Sequence, residues 1–235
     1  MRVLIVLMTR VPIPGKTKTR LMPPLTGEEC AGLQRAFIED LIDLLRDDLK
    51  LPACIFFTPE DKDGILRNIV KDRLPLVLQR GETLGDRMSA AIRRGLAQGY
   101  EGVVVVGSDL PTLPAELIHE AGELLADNDV VLGPTLDGGY YLIAAKADHP
   151  GIFQEISWGA KTVLAATLER IKALHLTPAL LRPWNDIDTV ADLRLLTAQL
   201  AASAAGEPPR HRHTREMMQT LQGKLPGFLS RTFNE

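Results

Sequence analysis

Four basic side chains, Arg10, Lys16, Lys18 and Arg20, fall within eleven residues, and no Asp or Glu precedes Glu28. The chain as a whole carries 27 Lys+Arg against 30 Asp+Glu, a net charge of -3. A basic stretch on such a chain is a local feature, and it suits a di- or triphosphate. A solvated surface loop is the competing reading. The stretch is not a P-loop, because Arg10 stands where the first glycine is required, five residues before Gly15. Pro23-Pro24 also prevents a helix from starting directly after Lys16 and Thr17. A dinucleotide fingerprint would need three glycines, and Gly15 stands alone. Phosphates would therefore be met by side chains.

Two acidic clusters complement the basic stretch. Gly107-Ser108-Asp109-Leu110-Pro111 ends an apolar run with a carboxylate, and Asn185-Asp186-Ile187-Asp188-Thr189 places two acids at alternate positions. In extended chain that spacing points Asp186 and Asp188 the same way. Turn formation before Pro111 is the alternative for Asp109, and a helix N-cap the alternative for Asp188. Were the clusters to converge, carboxylates ~4 Å apart would repel by roughly 4 kcal/mol at an effective dielectric of 20, which a divalent cation would neutralise. An all-oxygen ligand set points to Mg²⁺ or Mn²⁺.

Gly133-Pro134-Thr135-Leu136-Asp137-Gly138-Gly139-Tyr140 has paired glycines suited to a hairpin turn or to close approach of a ligand. Ser157-Trp158-Gly159 and Thr162 offer hydroxyls and an indole ahead of a helix, either an anion-binding N-terminus or a buried Trp. His211 and His213 read as part of a solvated basic tail rather than as metal ligands. No G-x-S-x-G or Cys-His motif supports nucleophilic catalysis. Cys30 and Cys54 form no CxxC pair, so neither a disulfide framework nor a cysteine zinc site is expected.

These residues need a frame, and alternating β and α elements supply one. Continuous apolar runs at Val3–Met8, Ala53–Phe57, Leu76–Leu78, Val103–Val106, Val130–Leu132, Tyr140–Ala144 and Ala179–Leu181 read as strands. Helices are expected from the Thr26/Glu29 capping box through Leu44, from Pro59 to Val70, and over Leu84–Gln98 and Pro114–Ala126. Two more follow over Lys161–Leu174 and Thr189–Ala202. The Thr-Leu-Asp-Gly-Gly turn before Tyr140 is too short for a crossover helix, so the sheet must be mixed. The fold class is α/β, a three-layer α/β/α sandwich with a mostly parallel sheet, and ligand chemistry is expected at the carboxyl ends of its strands.

With 235 residues, 45% hydrophobic and 24% charged, the chain can bury a sizeable core and is not disordered or fibrous. We expect one α/β domain over residues 1–202, then within 203–235 a linker and a small C-terminal helix, His213 to Leu221, that docks or swaps into a homodimer. No apolar run is long enough to span a bilayer and no global basic field would hold nucleic acid, so neither membrane nor nucleic acid is an expected partner. A cytoplasmic protein is expected.

Pro12-x-Pro14-Gly15-x-x-Lys18-Thr19-Arg20-Leu21, Ser108-Asp109-x-Pro111, Gly133-Pro134-x-x-Asp137-Gly138-Gly139-Tyr140-Tyr141-Leu142 and Asp186-Ile187-Asp188-Thr189-x-x-Asp192-Leu193 occur in this order. Together they resemble a bacterial family of glycosyltransferase-like proteins in the nucleotide-diphospho-sugar transferase (GT-A) superfamily. The layout is also similar to phospholactate guanylyltransferase. The resemblance implies a metal-dependent transferase with a nucleotide donor and a small-molecule acceptor, transferring either a glycosyl or a nucleotidyl group. A nucleotide-binding module without catalysis is a third reading. It implies that Arg10, Gly15, Lys16, Lys18 and Arg20 hold phosphates, with Lys18, Arg20 and Asp109 catalytic. Asp109, Asp186 and Asp188 would hold Mg²⁺ or Mn²⁺. Gln79, Leu84 and Gly85 would lie beside the base, and Asp137, Gly138, Gly139, Tyr140, Ser157 and Thr162 on the acceptor side. Arg10 stands where the family usually has lysine, and Gly159-Ala160 where a hydroxyl pair is expected.

Overall fold

The first apolar run forms β1 (Val3–Arg10), and its alternation shows that both faces are covered. Ile5 and Leu7 belong to one buried cluster, Leu4, Val6 and Met8 to the other. The computed structural model describes residues 1–202 and 211–224. Seven strands make one sheet in the order β3-β2-β1-β4-β6-β5-β7. They are β1, β2 (Ala53–Thr58), β3 (Leu76–Leu78), β4 (Gly102–Gly107), β5 (Val130–Pro134), β6 (Tyr140–Ala145) and β7 (Pro178–Leu180). All pairings are parallel except those of β6, which is antiparallel to both β4 and β5. The short turn between β5 and β6 dictates that exception.

One helical layer is α1 (Gly27–Asp43), α2 (Ile65–Val70) and α4 (Ala115–Leu124), and the other contains α3 (Leu84–Ala97) and α5 (Val163–Ala173). The sandwich is thus three layers deep around a mostly parallel sheet. A second face of α1, with Cys30, Leu33 and Phe37, packs against α6 (Val190–Ala202) and α7 (Arg212–Lys224) through Leu193, Leu196, Leu200, Met218 and Leu221. Both cysteines are free and buried.

Local chemistry sets the element boundaries. The Thr26/Glu29 capping box is present at α1, and Thr83 with Asp86 forms a second one at α3 that the sequence reading did not single out. The helix expected from Pro59 starts only at Ile65, because the Asp61 carboxylate accepts from the Leu66 and Arg67 amides and fixes the first turn there. Helix α7 extends beyond the expected 213–221 at both ends. Residues 203–210, most of the expected linker, lie outside the described residues. Among the described residues no helix is long and apolar enough to cross a membrane.

Candidate active site

The parallel strands all deliver their carboxyl ends to one edge of the sheet, so Arg10, Gln79, Asp109 and the 135–139 turn gather there. A strap from the end of β7 then crosses this edge. Leu181 N–H donates to Leu132 O (2.9 Å), Trp184 N–H to Pro134 O (3.0 Å) and Ile187 N–H to Asp109 O (2.9 Å). Ile187 is anchored in the α1–α6–α7 cluster at 2% exposure, and Asp186 and Asp188 flank it. Asp188 is not the cap of α6. Thr189 takes that place, with Asp192 accepting from the amides of Asp188 and Thr189 and from the Thr189 hydroxyl. The Asp188 carboxylate is left for other work.

Lys18 joins the two acid clusters. Its Nζ lies 2.5 Å from Asp109 Oδ1, 2.5 Å from Ile187 O and 3.5 Å from Asp188 Oδ1, and 5.3 Å from the centroid of the Phe37 ring. Its side chain is 2% exposed, whereas Asp109 and Asp188 are 41% and 38% exposed. Arg20 Nη1 approaches Asp188 Oδ2 at 3.5 Å from the solvent side. Asp186 lies close enough to feel its neighbours. Burial first, then the charges of Asp188, Asp137 and Asp109, push its carboxyl up to about 6. One ammonium therefore leaves negative charge over. The carboxylates do not form a closed cage: among the described residues, the trio of metal-capable groups within 4.8 Å of one another is Asp40, Asp43 and His213, elsewhere in the fold. An open, oxygen-only set still fits Mg²⁺ or Mn²⁺, which usually takes one or two carboxylates and completes its shell with water and substrate phosphates.

The rest of the basic loop faces outward. Arg10, Gly15 and Lys16 are exposed, with Gly15 at φ +73° and its amide against Gly27, where a Cβ would come within 2.6 Å of it. Thr17 is buried and ties the loop to Val11 O at 3.0 Å. Beneath, Gln34 of α1 donates to the Ser108 hydroxyl at 2.7 Å, so α1 and the end of β4 are pinned together next to Asp109. Neither Gln34 nor the Ile187 carbonyl was picked out from sequence. Gln34 had a signal, a polar residue inside the apolar stripe of α1.

The remaining expected site residues divide. Gln79 sits at the sheet edge with Nε2 donating to Phe56 O (2.8 Å) and Thr9 O (3.3 Å). Gly85 is a packing glycine, since a Cβ there would lie 2.7 Å from both Phe153 and Trp158, while Leu84 is exposed beside it. Gly85 lines a cleft of about 380 Å³ between the first turns of α3 and the Pro150–Trp158 segment, and none of the acid cluster lines it. Asp137 is held by the Thr135 hydroxyl (2.5 Å) and the Gly139 amide (3.1 Å), which shapes the β5–β6 turn. Gly138 has φ +94° and backs onto Lys161 O, where no Cβ fits. The Tyr140 hydroxyl turns inward beside Thr167, buried deeply enough to raise its pKa, and its ring meets Trp158 edge-on at 6.4 Å. Ser157 is exposed, and Thr162 precedes α5 without capping it by its side chain.

The Asp40, Asp43 and His213 group is a docking joint. Asp40 accepts from the His213 and Thr214 amides at 3.0 and 2.8 Å and so caps α7. Asp43 holds Arg73 at 2.8 Å, and the His213 ring lies between Glu39 and Asp43 at 3.5 and 3.3 Å. His213 thus lies in the first turn of the C-terminal helix, with its ring against α1 rather than solvated as expected of a basic tail.

Residues 41–160, just over half of the chain, match a family described as "Uncharacterized protein conserved in bacteria (DUF2064)". None of the curated proteins matches the chain in sequence. Among solved structures, a protein of Desulfovibrio desulfuricans G20 provisionally assigned as a nucleotide-diphospho-sugar transferase superposes with a TM-score of 0.83 at 30% identity, covering 98% of each chain. A cytidylyltransferase of Leptospira borgpetersenii shares the fold with a TM-score of 0.55 at 12% identity, over 100% of this chain and 98% of the other. CMP:2-keto-3-deoxy-manno-octonic acid synthetase, in complex with CTP, does so at 0.52 and 12%, over 86% and 100%. The chain belongs to the bacterial DUF2064 family and has the nucleotide-diphospho-sugar transferase (GT-A-like) fold.

Proposed function

We propose that this protein is a divalent-metal-dependent transferase with a nucleotide donor, in the first reading a nucleotide-diphospho-sugar. The observation that supports it is the meeting of Asp109 with the Asp186–Asp188 strap beside an outward-facing basic loop. In this reading Arg10, Lys16 and Arg20, with the Gly15 backbone, bind the donor phosphates, and Asp109, Asp188 and Asp186 hold Mg²⁺ or Mn²⁺. When bound, the cation stabilises charge that develops on the departing diphosphate. Gln79, Leu84 and Gly85 border the base. The Asp137–Gly139 turn, Ser157 and Thr162 border the acceptor, whose hydroxyl attacks the sugar. The Tyr140 hydroxyl is turned away from that side, so its part is to support Trp158. The protein's work is positioning and charge neutralisation without a covalent intermediate. We place this chemistry in the cytoplasm, consistent with two free thiols.

Three exposed cations in the basic loop, with Arg20 against Asp188, also favour a second reading, nucleotidyl transfer, because a leaving pyrophosphate brings more charge to neutralise. There an acceptor phosphate attacks the α-phosphorus of a nucleoside triphosphate. The test is to incubate the protein with Mg²⁺, nucleotide sugars or nucleoside triphosphates, and phosphorylated or hydroxylic acceptors. Acceptor-dependent release of nucleoside diphosphate selects glycosyl transfer, and release of pyrophosphate selects nucleotidyl transfer. Binding with no release under any pairing reduces the chain to a binding module and overturns the enzymatic proposal.

A further inference from the structure

Of the four cations in the basic loop, Arg10, Lys16 and Arg20 are exposed, while the Lys18 side chain is 2% exposed. A lysine ammonium has three donor hydrogens, and three oxygens surround this one: Asp109 Oδ1, Ile187 O and Asp188 Oδ1. None of the three is left for a phosphate in this arrangement. Lys18 also holds φ +53°, a conformation uncommon outside glycine, between a residue tied down by its own hydroxyl, Thr17, and the turn at Thr19–Leu21. The backbone is fixed on both sides, and the side chain is what can move.

We propose that the Lys18 ammonium and a divalent cation are alternative occupants of the same carboxylates, so that cation loading releases Lys18 to the phosphates of the donor. This rests on the metal- and nucleotide-dependent reading given above and adds the order of events within that site. Two observations carry it. The ammonium already contacts one oxygen of each of the two carboxylates to which a cation would be drawn, Asp109 Oδ1 and Asp188 Oδ1, and a dication at the same pair would meet its charge at close range. The carboxylates are spaced for an ammonium between them rather than drawn into a tight trio. A displaced Lys18 would face its own loop, which has no acid of its own and ends in Arg20, and an anion there would relieve the crowding. Cation and phosphate should therefore each strengthen binding of the other.

The experiment is Mn²⁺ binding to the nucleotide-free protein, read by electron paramagnetic resonance of free Mn²⁺, for wild type, Lys18→Met and Lys18→Arg. Lys18→Met should bind Mn²⁺ about tenfold more tightly than wild type, and Lys18→Arg, which keeps the charge, should stay close to wild type. Equal or weaker Mn²⁺ binding by a folded Lys18→Met overturns the exchange. Should Lys18→Met fail to fold, the wild type decides by itself. With ¹⁵N-lysine labelling, the hydrogen-bonded ammonium signal of Lys18 should vanish or shift on Mg²⁺ titration, and its persistence at saturating Mg²⁺ overturns the proposal. If wild type binds Mn²⁺ as tightly as the variant, the exchange alone fails. If neither binds Mn²⁺, the metal-dependent reading fails with it.

Discussion

Acidic side chains gather at the α1–α7 joint and at the sheet edge, and the fold treats the two groups differently. At the α1–α7 joint, Asp40 spends both oxygens on backbone amides and Asp43 meets a guanidinium. Burial raises the Asp40 carboxyl, and the hydrogen bonds from Thr214 and His213 work against that rise. At the sheet edge, Asp109 and Asp188 are about two-fifths exposed and share one ammonium, while Asp186 is pushed up to about 6 by burial and like charge. The joint has consumed its charges to hold a helix. The edge keeps a surplus, and surplus negative charge aimed at solvent beside exposed cations is what a ligand site costs a fold.

Substitutions at the two places should therefore fail in opposite ways. Asp109→Asn should leave the fold in place and reduce turnover by ~10² to 10³, by analogy with loss of one preorganised electrostatic group. Steady-state release of the nucleotide product measures it, and wild-type turnover would make Asp109 a turn residue only. Asp40→Ala should do the reverse. Two amides at the start of α7 lose their acceptor, for about 2 kcal/mol of stability, or a melting temperature roughly 4–8 °C lower. Nucleotide binding, followed by calorimetry below the transition, should persist, and its loss with the fold intact would show that the joint is part of the site.

The smallest effect is also the most discriminating. Burial and neighbouring acids disfavour ionised Asp186, so its pKa is higher in the folded chain than in the unfolded one, where it is near 3.8. The contribution of Asp186 to the stability of the metal-free protein should then be greatest below pH ~4, fall as pH rises through about 4 to 6, and level off above. Allowing for water at this half-buried site, the loss should be about 1–2 kcal/mol. Asp186→Asn should melt a few degrees above wild type at pH ~8 and level with it at pH ~4. A difference independent of pH would contradict this origin.

Much of the frame was legible because it is local. Apolar runs gave strands, the Thr26/Glu29 pair gave the start of α1, and the five-residue turn before Tyr140 required an antiparallel neighbour. The alternate spacing of Asp186 and Asp188 around a buried Ile187 was legible for the same reason. Contacts between distant residues were not. The family resemblance set Lys18 apart from Lys16, but composition and spacing within the basic loop do not show which lysine turns inward, because that turn depends on a strap 169 residues away. His213 looked like tail because its partners, Glu39 and Asp43, lie on α1. In one case a signal was present and unused: Thr189-x-x-Asp192 is a capping pattern that removes the helix N-cap as the alternative for Asp188.

On the function proposed, the surplus charge at the sheet edge serves a nucleotide through a divalent cation. Isothermal titration of nucleotide sugars and nucleoside triphosphates into the wild-type protein, in Mg²⁺ and again in excess chelator, tests it most directly. At least one nucleotide should bind in Mg²⁺, chelator should abolish or sharply weaken the binding, and Asp109→Asn in Mg²⁺ should behave like wild type in chelator. Binding of equal strength with and without Mg²⁺, or no nucleotide binding in either, would contradict it.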